Sequence, residues 1–132
     1  MDALRRPQPT RATAIAGLLI AAGVAGLAVS DLGDLATPLA AILLSVAIAA
    51  ELTAARYSAS LAVSAAFAAD MLAIGFLGPA PAFVIPALVY VTVWIVQRYR
   101  WRAMVINVAG SATPALVVAY AFADVLPPRL PR

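Results

Sequence analysis

Five long apolar stretches, at about residues 12–30, 35–54, 59–77, 80–97 and 103–123, fill almost the whole chain, and its nine basic residues all fall at their ends. Each stretch holds ~18–21 residues, close to the ~20 that a helix rising 1.5 Å per residue needs to cross bilayer hydrocarbon. A water-soluble domain that is 64% hydrophobic and 11% charged could not cover its own outside with polar groups. The sequence therefore predicts an all-α fold, a polytopic transmembrane helix bundle of about five spans, with lipid as its solvent. A membrane barrel needs ~10-residue segments that alternate apolar and polar residues, and nothing here alternates. In lipid, backbone N–H and C=O groups must bond within their own segment, which makes the spans helices.

Short polar punctuation separates the stretches. Residues 1–11 form a basic leader with Arg5, Arg6 and Arg11, and Asp31-Leu32-Gly33-Asp34 follows the first span. Arg56-Tyr57-Ser58 makes a tight return, and Gly78-Pro79 is a strong breaker pair. Arg98, Arg100 and Arg102 mark a second basic turn, and residues 124–132 form a tail whose three prolines predict no helix. The single helical domain is thus 12–123. With five crossings, the leader, Arg56 and the Arg98–Arg102 turn share one side. The positive-inside bias makes that side the cytoplasm. Tyr57, Trp94, Tyr99 and Trp101 gather at the same level, as an interfacial belt does. The expectation is a multi-pass protein of a cell (inner) membrane with a cytoplasmic N-terminus and an external C-terminus. Ala28-Val29-Ser30 also fits a signal-peptide cleavage site. A retained helix is favoured because the first stretch is long and the second follows at once.

Composition removes several chemistries. The chain has no Cys and no His, so thiol chemistry, disulfides and the usual zinc or haem ligands are absent. There is no glycine-rich phosphate loop, and no Ser or Thr has a histidine to activate it. No catalytic residue, metal site or cofactor is predicted, and the protein is not expected to be an enzyme. The formal charge of +3 comes from Arg residues beside apolar spans, which points to lipid headgroups and not to nucleic acid.

Lateral contacts should then carry what the chain does. Small residues recur at four-residue spacing: Gly17 with Ala21 and Ala22 with Gly26 on the first span, Ser58, Ala62, Ala66 and Asp70 on the third, with Ala65, Ala69 and Ala73 beside them. Asn107 with Ser111 and Gly110 with Pro114 continue the pattern on the fifth. Such rows let helix backbones approach closely in lipid. Pro86 and Pro114 each remove a backbone hydrogen bond from their helix and are expected to bend it.

One ionisable residue sits near the middle of a span. An ionised Asp70 would cost ~2.5–3.5 kcal/mol at a helix centre, so a partner or a proton is expected. Asn107, Ser111 and Thr113 on the fifth helix, or Thr92 on the fourth, are the candidate partners. A neutral, hydrogen-bonded carboxyl is one reading of Asp70, and a proton or cation site is the other. Glu51 lies about one turn from the cytoplasmic end of its helix. It is predicted to anchor structure through Arg56 or, across the turn, Arg98, Arg100 and Arg102. The i,i+5 spacing to Arg56 favours the cross-helix partner.

From about residue 50 onward, the order of features resembles the N-terminal multi-helix membrane module of bacterial signalling proteins that carry HD-phosphohydrolase or diguanylate-cyclase domains. The resemblance rests on Ala50-Glu51-Leu52, residues 58–64, Leu77-Gly78-Pro79 with Ala82, and Val105-Ile106-Asn107-Val108-Ala109. Asn107 matches the Phe-Asn-Ala-Ala-like run of such modules. Ile106 departs from its aromatic, and Gly110 stands where Gln is common. The resemblance implies a module that anchors a protein or senses a signal in the bilayer, working as a homo-oligomer or with other membrane subunits. An external C-terminus leaves no route to a cytoplasmic output domain. An accessory subunit of a larger membrane complex, or a small proton- or cation-coupled transporter using Asp70, are the competing expectations.

Overall fold

The computed structural model describes residues 11–54 and 65–125. Five α-helices run through them: α1 (Arg11–Ala28), α2 (Pro38–Ala54), α3 (Ala65–Leu72), α4 (Pro79–Gln97) and α5 (Trp101–Val125). A 3-10 turn, Gly33–Ala36, precedes α2, and a π-helical turn, Ala73–Leu77, extends α3. The fold class is all-α, as the sequence implied. Helices α1, α4 and α5 are long and apolar enough to cross a membrane. The 17 residues of α2 rise about 26 Å, at the lower limit for a span. The leader to residue 10, Arg56, Tyr57, the opening of the third stretch to residue 64 and the tail from residue 126 lie outside the described residues.

Local chemistry moves one helix start and reshapes one helix end. The second helix begins at Pro38, not at residue 35, because Thr37 caps it. Its Oγ1 accepts the Ala40 N–H at 3.2 Å and donates to the Asp34 carbonyl at 3.0 Å. Thr37 is extended (φ −86°, ψ 146°), as a residue before proline tends to be, and Pro38 fills the first helical position, where an N–H is not needed. The third helix does not stay α-helical to residue 77. Its last turn widens so that the Gly78 N–H donates to the Ala73 carbonyl, five residues back, at 3.1 Å. Gly78 itself has φ 97° and ψ −169°, a region open essentially to glycine alone.

Side-chain bonds fix how the helices run. Thr113 Oγ1 donates to the Leu19 carbonyl at 3.2 Å, and the Tyr120 hydroxyl reaches the Gly26 carbonyl at 2.8 Å. Numbers rise together along the two helices, so α1 and α5 are parallel. Phe83, early in α4, meets Gly23, late in α1, and clusters with Ala112 and Leu116 of α5, so α4 is antiparallel to both. One end of the bundle therefore carries Arg11, Arg98, Arg100 and Arg102. Ser30, the 3-10 turn and Gly78 lie at the other.

A small network closes that second end. Ser30 Oγ lies 3.0 Å from the Gly26 carbonyl and 2.7 Å from the Tyr120 hydroxyl. Two hydroxyl protons serve three short contacts. One hydroxyl must therefore donate to the carbonyl while the other donates to it.

The packing is inverted relative to a soluble domain. Ala47, Ala73, Ala82 and Ala112 are 0% exposed, whereas Leu18, Phe76, Ile95 and Val117 are all 60% exposed or more. Small residues are prominent at the helix contacts, beside larger ones such as Ile85 and Val89, and many large apolar side chains face outward, a distribution that lipid favours. On α2 and α3 the row Ala66, Ala69, Ala73 meets Ala40, Leu43 and Ala47. On α1 the contact face is Thr13, Ala16 and Gly23. The pair Gly17 and Ala21 faces outward instead, because the true face is set by neighbours that spacing alone does not reveal.

A Cβ on Gly23 would run into the ring of buried Phe83, while nothing lies near a Cβ on Gly17. Gly23→Val should therefore destabilise the protein by about 1–3 kcal/mol, and Gly17→Val should leave it unchanged, in reversible unfolding from mixed micelles. In the same assay Gly78→Ala should cost about 1–3 kcal/mol, because it forces a side chain into a strained backbone region.

Candidate functional site: a polar cavity between three helices

Asp70 reaches its position by helical geometry. Ala69 and Ala73 pack in the core cluster that the third helix shares with α2, and residue 70 lies about 100° around the helix from residue 69. Its carboxylate therefore leaves the α2–α3 seam and enters a cavity of ≈ 90 Å³ lined by Ala66, Phe67, Asp70, Pro86, Val89, Tyr90 and Ser111. That volume admits a few water molecules. The Tyr90 phenol and the Ser111 hydroxyl both belong to that lining. Asp70 Oδ1 is buried and has no hydrogen-bond partner among the described residues. No Arg lines the cavity, and Glu51 of α2 lies near enough for its charge to be felt at Asp70 and Tyr90.

The structure sorts the sequence-derived candidates. Ser111 shares the cavity with Asp70. Asn107 is exposed one turn earlier on α5. Thr113 lies apart from them: its hydroxyl turns toward α1 and donates to the Leu19 carbonyl, since two residues of helix rotate it about 200° from Ser111. Thr92 is replaced by Tyr90 for the same geometric reason. Pro86 is buried and lines the cavity, and α4 runs continuously through it. Pro114 is exposed, with α5 continuous through it. Glu51 is half-buried on α2, and Arg98 and Arg100 line a separate groove at the α4–α5 turn. Arg102 stacks on Trp101, its guanidinium carbon 5.8 Å from the ring centroid. Arg56 lies outside the described residues.

Tyr90 is the residue that sequence reasoning missed. A phenol four residues after Pro86, in the middle of an apolar stretch, was the available signal: the i,i+4 spacing puts both on one face. The π turn is the second omission. It starts three residues after Asp70, and such turns recur beside functional sites.

The cavity can hold a proton, a few waters or a small cation. A carboxyl accepts hydrogen bonds when ionised and donates one when protonated, and the Tyr90–Ser111 pair offers both kinds of partner. Comparison with protein-family models, curated proteins and solved structures finds no match.

An unsatisfied buried polar atom costs about 1–3 kcal/mol. Asp70→Leu should therefore stabilise the fold by up to about that amount, as read from mixed-micelle unfolding. A structural anchor at this position would give a loss of similar size instead.

Proposed function

We propose that this chain is a non-enzymatic, multi-pass module of a cell (inner) membrane that senses a proton or small polar ligand at Asp70. It passes the change on through lateral helix contacts, with copies of itself or with other membrane subunits. The single observation that carries this reading is the buried Asp70 Oδ1, without a partner, facing a cavity lined by Tyr90 and Ser111. A group kept unsatisfied at a cost to stability is a feature expected of a binding site and not of a brace.

Two further observations support the membrane part. Many large apolar side chains point outward, and the Arg residues of the described chain collect at one end of the bundle. That end becomes the cytoplasmic one under the positive-inside bias, with the N-terminus inside. The parallel course of α1 and α5 fits an odd number of crossings from the first to the fifth helix. The likeness to signalling modules supports sensing over assembly alone.

Transmission would run through the π turn. Occupying Asp70 biases the winding of residues 70–78 between two registers, and rewinding to α shifts Gly78 against the start of α4. Outward-facing residues such as Phe67, Met71 and Phe76 carry that shift to a neighbour. An interrupted helix beside a polar site also occurs in carriers, and this favours transport as the second reading.

The test uses the full chain in lipid nanodiscs. Amide exchange over residues 66–78, corrected for its intrinsic pH dependence, should change with pH in the wild type and not in Asp70→Asn. Equal responses in the two proteins would contradict the proposal. Proton or cation flux in sealed vesicles that Asp70→Asn abolishes would select the carrier.

A further inference from the structure

The α4–α5 turn holds a second, larger hollow that the Asp70 cavity does not explain. Trp94, Ile95, Arg98, Tyr99, Arg100 and Trp101 line a groove of ≈ 500 Å³. That is within the usual range of small-ligand sites. Two arginines, Arg98 and Arg100, line it and no acidic residue does. Arg98 and Arg100 are both exposed, so neither is spent inside the protein.

The groove is held open by its own backbone. Arg98 ends α4 in the left-handed conformation, at φ 50°, with its N–H donating to the Trp94 carbonyl at 2.8 Å. Glycine commonly fills this place at a helix end, so an Arg there keeps a charged side chain where the fold would accept none. Trp94 Nε1 donates to the Tyr99 carbonyl at 2.9 Å, which fixes the indole as one wall. Trp101 stacks with Arg102 and stands 53% exposed as the other.

We infer that this groove binds the phosphate of an anionic membrane lipid, gripped by the Arg98 and Arg100 guanidinium groups between the Trp94 and Trp101 rings. Guanidinium presents paired N–H donors that match phosphate oxygens, and indole rings settle at headgroup level. A lipid is favoured over a soluble phosphate by what borders the groove. Ile95 and Val96, 60% and 61% exposed, continue it along α4 as an apolar surface that an acyl chain covers. This inference rests on the reading of the chain as membrane-embedded.

The chain contains two Trp residues, and both line this groove, so tryptophan fluorescence reports on it alone. The full chain is placed in phosphatidylcholine nanodiscs containing a minor fraction of brominated phosphatidylglycerol or, separately, of brominated phosphatidylcholine. The wild type should be quenched several-fold more by the brominated anionic lipid. That preference should fall about five-fold for each of Arg98→Gln and Arg100→Gln. The Arg98→Lys, Arg100→Lys double variant keeps the charge and loses the paired donors, so it should also lose most of the preference.

Equal quenching by the two lipids in the wild type would overturn the proposal, as would a double-Lys variant that keeps the full preference, which diffuse surface charge predicts. Fluorescence that responds to inorganic phosphate, without any lipid preference, would assign the groove to a soluble anion and overturn the lipid source. If neither brominated lipid quenches, the turn does not sit at a bilayer, and it is the membrane reading itself that fails.

Discussion

Close backbone contact through small residues is the interaction on which the rest of the structure depends. Alanines with no exposed surface line the seams: Ala47 and Ala73 in the cluster that joins α2, the third helix and α4, and Ala82 and Ala112 around α4 and α5. Gly23 extends the principle to α1, where the missing Cβ is the space that the Phe83 ring occupies. These residues bury little side chain, so in water the bundle would have a weak hydrophobic drive and a costly exterior. In lipid the balance reverses. Exposed Leu and Phe side chains cost nothing there, and dispersion contact between closely spaced backbones decides which helices pair.

That economy leaves little room for polar groups, and those present fall into two kinds. Ser30, Tyr120 and the Gly26 carbonyl satisfy one another at one end of the bundle. Trp94 is satisfied by the Tyr99 carbonyl at the other end. Between the two ends, Asp70 shares a cavity with a Tyr–Ser pair and leaves an oxygen unpartnered. The contrast gives Asp70 its significance. Among the described residues these polar groups find partners at either end, while Asp70 Oδ1 stays open near a π turn and a glycine-only backbone conformation. Openness, local irregularity and a small polar cavity occur together in one place.

The fold was largely legible in the sequence, because length and hydropathy determine span-like helices almost without regard to side-chain detail. Helix boundaries were less so. Thr37-Pro38 carries the start of α2 as a cap and a first-turn proline, a signal that the run of apolar residues before it obscures. Asp70 was legible because a charge in an apolar stretch is conspicuous, and Ser111 because it is polar and mid-helix. Thr113 and Thr92 looked equally suitable, yet each lies two residues, some 200° of helix, from the residue that does line the cavity. Nothing in an Ala-rich sequence tells which face of α1 meets its neighbours. The Gly17–Ala21 pair and the Thr13–Ala16–Gly23 face look alike until α4 and α5 are in place. The π turn has no compositional signature at all.

This packing requires lipid as the solvent of the bundle, and the absence of cysteine from the chain makes that directly measurable. Single cysteines placed at Asp34 and at Arg100 in the full chain, in intact cells, would be challenged with a membrane-impermeant thiol reagent. The two positions lie at opposite ends of the bundle. Labelling of residue 34 in intact cells, with residue 100 labelled only after permeabilisation, is the predicted result. Labelling of both positions from the same side would contradict it.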